Sequence, residues 1–270
     1  MSQSIAIAVG AHPDDVEFFM AGTLLQLKQV GYEIHYFTLA NGSCGSREFG
    51  PAQLSQMRRR ESQEGAKILG AVFHSSLVND LEIFYDLKIL RRVAAILREV
   101  KPSIILTHSP QDYMEDHMNT CRLVVSAAFM LGAPNFRTQP PRAAVYQDVT
   151  LYHAMPLSLT DSLRRRIMVG AYVDTSDVHA TKLAALSAHR SQQNWLQASQ
   201  GANSYLKAME DMALELGRES RRFKFAEGWR RHLYQGYSQS EIDPLKTALG
   251  KRYLVNQAFE KQRLAGRIAP

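Results

Sequence analysis

The stretch IAIAVGAHPDDVEFF, residues 5–19, decides how this chain is read. Its first six residues, IAIAVG (5–10), carry no charge and have the length of a strand buried on both faces. The chain leaves that strand directly into a histidine and two adjacent aspartates, His12, Asp14 and Asp15. Neighbouring carboxylates repel, and each costs desolvation energy beside a core, so folding alone gives no reason for the pair. A bound positive charge removes the difficulty. HPDD also fits a helix N-cap with first-turn acids, which accounts for one aspartate but not for the histidine as well.

Outward from this stretch, strand and helix signals alternate. The spacing of Val16, Phe19, Leu24, Leu27 and Val30 predicts a helix over 16–30, stopped by Gly31. EIHYFTLA (33–40) reads as a second strand, followed by the loop NGSCGSREFGP (41–51) and a helix over 52–69 that ends at Gly70. AVFHSSLV (71–78) is a third strand candidate, 86–100 a helix, SIILTHS (103–109) a fourth strand and 116–131 a helix. This order predicts an α/β, Rossmann-like fold, a mostly parallel sheet with helices on both faces. Ligands of such sheets bind beyond the carboxyl ends of the strands. The loops AHPDD, NGSCGSR, NDLEIF and THSPQDYMEDH share that address.

APNFRTQPPR (133–142) marks a boundary rather than a flexible linker. Strand candidates follow at 144–152 and 167–174, then helices at about 178–198 and 202–220. The expected organisation is a single domain over 1–270, with a catalytic α/β core to about 175 and a helical C-terminal part over about 176–270.

Composition bounds the function. With 270 residues, 45% hydrophobic and 21% charged, the chain is an ordinary globular protein with ample core. No apolar run nears the ~20 residues of a membrane span. The N-terminus lacks a basic leader, and the two cysteines, Cys44 and Cys121, form no disulfide framework, so a reducing cytoplasm is expected. The net charge of +6 comes from short arginine clusters beside Glu or Asp, the pattern of solvated helix faces, so nucleic acid is not an expected partner.

His12 and Asp15, three apart in a turn, are close enough to grip one ion, and imidazole with carboxylate suits a borderline metal such as zinc. A catalytic zinc takes three protein ligands and leaves a place for water. His117, at the head of the helix after the fourth strand, has the right address for the third. Asp14 then stays free of the metal, beside a water whose pKa the ion lowers towards ~7, where it can act as general base.

These residues resemble the LmbE-like (PIG-L-like) zinc-dependent N-deacetylases, which remove acetyl groups from N-acetylglucosamine units. The resemblance begins with AHPDDVEFFMAGTL (11–24) and runs through MRRRESQEGAKILGA (57–71), VNDLEI (78–83) and KPSIILTHSPQDYMEDHMNT (101–120). It ends with DVHATKLAALSAHRSQ (177–192) and FAEGW (225–229). The resemblance implies one Zn2+ per chain, or another divalent metal, on His12, Asp15 and His117, with Asp14 as base. It further implies substrate contacts from Arg58 and Asp80, and a homo-oligomer such as a trimer or hexamer.

One departure matters. The family's fourth motif is usually H-P-D-H, whose first histidine stabilises the oxyanion; here the four positions are Met114, Glu115, Asp116 and His117. Losing such a donor costs ~10²–10³ in rate unless another group replaces it. Tyr113, His153, His179 and His189 are the candidates, and Asp116 is assigned a supporting role beside His117. Three functions follow: an N-acetyl amino-sugar deacetylase, an amidase for another acyl group or a thiol-conjugate or non-sugar amide, and a sugar- or metal-binding protein without turnover.

Overall fold

The structure is a computed structural model that describes residues 4–200 and 205–266. Its strands are β1 (Ile5–Gly10), β2 (Glu33–Thr38), β3 (Val72–His74), β4 (Ile104–Thr107), β5 (Thr150–Ala154), β6 (Ala171–Asp174), β7 (Ala226–Arg231) and β8 (Tyr253–Val255). Its helices are α1 (Asp15–Phe19), α2 (Ala21–Gln29), α3 (Pro51–Leu69), α4 (Leu87–Val100) and α5 (Glu115–Phe129) in the first half. The second half adds α6 (His179–Leu186), α7 (Arg190–Gln200), α8 (Tyr205–Ser220), α9 (Pro244–Leu249) and α10 (Gln257–Leu264). The strands form one sheet in the order β3-β2-β1-β4-β5-β7-β6-β8, parallel from β3 to β5. This is the α/β, mostly parallel sheet that the sequence predicts.

Alternate residues of each strand enter opposite cores, which is why the strands read as unbroken apolar runs. Ala6 and Ala8 of β1, with Ile104 and Leu106 of β4, pack under α2. Ile7, Val9 and Ile105 face the other way, against α4 and α5. The chain turns in opposite directions from β1, to β2 on one side and to β4 on the other. Crevices form at such a reversal, so the loops after β1 and β4 open into one place.

Several elements are shorter than their sequence patterns. The run 144–152 pairs only from Thr150, because Val145 and Val149 donate to the loop carbonyls of Leu131 and Tyr237. The run 71–78 is a ladder only over Val72–His74, and 167–174 only from Ala171. Ile167 and Val169 are buried in a small satellite core with Met155 and Leu216, so they have a core residue's burial without a ladder. The helix expected over 178–198 breaks after Leu186, where His189 turns into the interior. Beside its helices, the C-terminal part supplies β7 and β8 to the same sheet. β7, sequence AEGWRR, carries three charges in six residues and gives no strand signal.

That strand explains two of the quoted motifs. Glu227 accepts hydrogen bonds from the N–H groups of Gly22 (2.8 Å) and Thr23 (2.8 Å) at the start of α2, and from buried Lys182 at 2.6 Å. Trp229 donates to Thr23 Oγ1 at 2.9 Å. A carboxylate at a helix N-terminus, neutralised by a buried ammonium, ties the C-terminal strand to the helix behind the site.

The proline-rich segment 133–142 is fastened by Arg98. Its buried guanidinium donates to the carbonyls of Met130, Ala133, Phe136 and Arg142 at 2.7–3.1 Å. Arg98→Met removes four bonds at ~1 kcal/mol each and leaves buried carbonyls unpaired, so we expect about 3 kcal/mol of destabilisation. A urea midpoint reads this, with the slope unchanged. A loss under ~1 kcal/mol would show that the segment holds itself.

Candidate metal centre

The turn after β1 separates the two aspartates. Gly10 lies against Asp15, where a Cβ would come within 2.8 Å of the Asp15 Cβ, so a side chain at 10 would push the turn away. Asp14 holds the N-cap position of α1 in a left-handed conformation (φ 107°) and makes no capping hydrogen bond, which removes the capping account of this residue. The two carboxylates consequently face different partners.

Asp15 faces inward. Its Oδ2 accepts from the N–H groups of Ala11 (3.0 Å) and His12 (2.7 Å) and lies 3.1 Å from His108 Nε2. Its Oδ1 lies 3.4 Å from His117 Nε2, and Oδ2 lies 3.6 Å from His12 Nδ1. One ligand atom from each of His12, Asp15 and His117 falls within 4.8 Å of the others. The far nitrogens of both histidines face carboxylates. His12 Nε2 is 2.9 Å from Asp116 Oδ2, and His117 Nδ1 is 3.2 Å from Asp112 Oδ1. Such partners fix the tautomer and orientation of metal-ligating histidines.

The electrostatics agree with a cation site. Burial works to raise the Asp15 pKa, yet the imidazoles of His117 and His108 hold it well below the usual carboxylate range. Burial likewise works against the charged forms of His12 and His117. Asp116 and Asp15 push His12 up to about 10, and Asp15 with Asp112 push His117 up to about 9. The carboxylates therefore call for positive charge where the two imidazoles converge. Two imidazole nitrogens and one carboxylate oxygen form a donor set that suits a borderline divalent metal.

Asp14 stands outside this set. It is buried, and burial and then the neighbouring Asp15 charge push its pKa up to about 6. The Tyr205 hydroxyl, from the first residue of α8, donates to its Oδ2 at 2.5 Å. A carboxylate with its pKa raised toward neutrality is suited to taking a proton.

The two residues assigned to substrate are placed differently. Arg58 is buried beneath the loop after β2, donates to Gly45 O at 3.2 Å and lies within electrostatic reach of Asp14. Gly42 (φ 77°) covers it so closely that a Cβ would fall 2.1 Å from Arg58 Cδ. Asp80 uses both oxygens on backbone, accepting from Gly42 N (2.6 Å) and Cys44 N (3.1 Å). It thereby anchors that loop.

Of the candidate replacements for the missing histidine, three are turned away. His153 has Nδ1 at 2.9 Å from the His108 carbonyl and Nε2 at 2.9 Å from His232 Nδ1, and burial pushes it down to about 4. His179 stacks on Phe225, with centroids 3.7 Å apart, and His189 is fully buried at 2.9 Å from Glu17. Tyr113 is half exposed, with its ring edge-on to His117 at 5.9 Å between centroids. Burial and the nearby Asp15 charge raise its pKa, so it stays a neutral O–H donor.

Two residues of the assembled site, Asp112 and Tyr205, are not singled out as ligands or partners by their sequence pattern. His108, which stacks on His117 at 4.0 Å, and Asp112 both lie in the loop after β4, an address that marks them. Tyr205 has no local signal, since only the packing of α8 brings it to Asp14.

Residues 7–128 match the family model PIG-L, GlcNAc-PI de-N-acetylase. That stretch, a little under half of the chain, is similar to the PIG-L (LmbE-like) de-N-acetylases. The matched span holds His12, Asp14, Asp15, Arg58, Asp80, His108, Asp112, Asp116 and His117, whereas His189 and Tyr205 lie outside it. The chain is 28% identical over 196 residues to diacetylchitobiose deacetylase of Thermococcus kodakarensis, across 69% of each protein. It is 29% identical over 143 residues to 4-oxalmesaconate hydratase of Pseudomonas putida, across 50% of this chain and about half (55%) of that one.

Solved structures of the same fold include 4-carboxy-2-hydroxymuconate hydratase of Pseudomonas putida, with a TM-score of 0.72 and 21% identity. That match covers 89% of this chain and all but 1% of the other (99%). N,N'-diacetylchitobiose deacetylase of Pyrococcus horikoshii matches with a TM-score of 0.70 and 21% identity, across 90% and 89% of the two chains. No helix among the described residues is long and apolar enough to cross a membrane.

Proposed function

We propose that this protein is a divalent-metal-dependent hydrolase that removes the acetyl group from an N-acetylated amino sugar, with zinc as the metal, and that the whole chain works as one domain. One observation carries the reading: His12, Asp15 and His117 converge on one point, while the adjacent Asp14 is not among them and is held instead by Tyr205. The de-N-acetylase family model and the chitobiose deacetylase relative support the acetyl group and the sugar.

A divalent cation held there supplies the charge that lowers the pKa of a water towards ~7 and polarises the amide carbonyl. The protein's own groups do the rest. Asp116 and Asp112 hold the two imidazoles in their binding tautomers. Asp14 takes the proton of the attacking water and returns it to the departing amine, so acetate and a free amino sugar leave. The Tyr113 hydroxyl is the donor that serves the oxyanion in place of a histidine at 114. Arg58, beneath the loop that Asp80 anchors, orients the sugar.

A second reading, addition of water to an unsaturated carboxylate, is favoured by the similarity to 4-oxalmesaconate hydratase together with the absence of a proton-bearing group at Met114. Metal-loaded protein is incubated with N-acetylglucosamine conjugates, with amides of longer acyl chains and thiol conjugates, and with conjugated unsaturated carboxylates. Acetate with a new amine supports the first reading. Another acid released with its amine would indicate an amidase of different acyl preference, and loss of the conjugated absorbance would indicate a hydratase. Tight glycan binding with none of these would indicate a binding protein.

A further inference from the structure

We infer that Tyr205 is a positioning residue for the proton-accepting carboxylate: its hydroxyl clamps Asp14 Oδ2 and leaves Oδ1 to receive the proton. This rests on the proposed role of Asp14. The contact spans 191 residues of sequence, from the turn after β1 to the first residue of α8, outside the span matched by the family model.

Three observations converge on the clamp. First, an O–H···O distance of 2.5 Å is that of a hydrogen bond to an ionised acceptor. Among the described residues, Tyr205 is the one hydrogen-bond donor seen on the Asp14 carboxylate. Second, Asp14 has the left-handed backbone (φ 107°) that non-glycine residues adopt only when their surroundings enforce it. Backbone strain leaves the side chain's direction to be set by its own partner. Third, the hydroxyl arrives on a supported ring. Tyr205 packs at 5.8 Å between centroids on Phe18, which sits in α1 beside Phe19, and Phe19 lies edge-on to both His108 and His117. One aromatic layer thus backs His108, His117 and the base together.

The phenol is suited to this work. Burial and the Asp14 charge raise its pKa well above the ordinary value, so the proton stays on Tyr205 and the hydrogen bond stays directed at the carboxylate. The orientation, and not the acidity, is what a clamp supplies. A carboxylate free to rotate spends part of its time aimed away from the water, and small misplacements of this kind reduce rate rather than binding.

Tyr205→Phe keeps the ring and removes only the hydroxyl. We expect kcat to fall about tenfold to a hundredfold, the range of a hydrogen bond to a charged group, with KM within about twofold and metal content unchanged. The second measurement needs no turnover. A short hydroxyl–carboxylate bond gives a proton resonance far downfield of ordinary hydroxyls. It should be present in the wild-type protein and absent from both Tyr205→Phe and Asp14→Asn. Unchanged kcat in Tyr205→Phe, a loss expressed only in KM, or no downfield resonance in the wild type would each overturn the proposal. A wild-type protein that shows the resonance but hydrolyses no amide would overturn the function reading while leaving the clamp in place.

Discussion

Asp14→Asn lowers kcat by about 10²–10⁴-fold, the range that a positioned general base contributes, while one metal ion per chain is retained. The substitution is a clean one here. Asparagine tolerates the left-handed backbone that position 14 adopts, so the turn after β1 keeps its shape. Its amide oxygen can still accept from Tyr205, so the aromatic layer behind the site is undisturbed. Asp14 also makes no capping hydrogen bond to α1 that the change would remove. What disappears is the capacity to take a proton. Initial rates of acetate release and metal content are both read on the same sample. A variant within tenfold of wild type would show that another group takes the proton. A variant that loses its metal as well would place Asp14 among the ligands.

Asp15→Ala produces the opposite pattern, a loss of metal first and of activity as its consequence. Asp15 offers Oδ1 toward His117 and holds the turn through the amides of Ala11 and His12. It also balances the His117 and His108 imidazoles. Removing it should weaken metal binding by well over the ~10–100-fold that loss of a supporting partner costs. Asp112→Asn, which alters only the partner of His117, supplies that smaller reference. Competition with a chromophoric chelator measures both affinities. Equal affinities in Asp15→Ala and wild type would remove Asp15 from the centre, and a larger effect for Asp112→Asn would mean that the ion sits on the other side of His117, towards His108 and Asp112. Those three residues form a second group of converging ligand atoms, so this outcome has a defined place in the structure.

Much of this site is visible in the sequence because of what parallel sheets require. Strands buried on both faces are apolar throughout, so a charged run directly after one is conspicuous, and AHPDD and THSPQDYMEDH both stand at such positions. The strand order alone therefore pairs the residues that adjacent strands β1 and β4 bring to the rim. The environment of each residue was less legible. Asp80 and Arg58 have the residue types of sugar-binding groups, yet their first partners are the backbone of the loop after β2.

His189, Lys182 and Glu227 look like scattered polar residues of a helical region. In the fold they are buried ties to Glu17 and to the start of α2. Tyr205 was illegible for the same reason. Its role depends on where α8 packs, and a tyrosine opening an amphipathic helix carries no mark of its partner. β7 was hidden by its own charges, since Glu227 is neutralised by a lysine 45 residues away.

Metal-dependent deacetylation is tested most directly by measuring acetate and free amine released from an N-acetylglucosamine conjugate by metal-loaded wild-type protein, beside the same protein stripped by a chelator. Equimolar acetate and amine, abolished by stripping and restored by zinc, is the result the structure predicts. No acetate from a protein shown to hold one metal per chain, with water added instead to an unsaturated carboxylate, would contradict it.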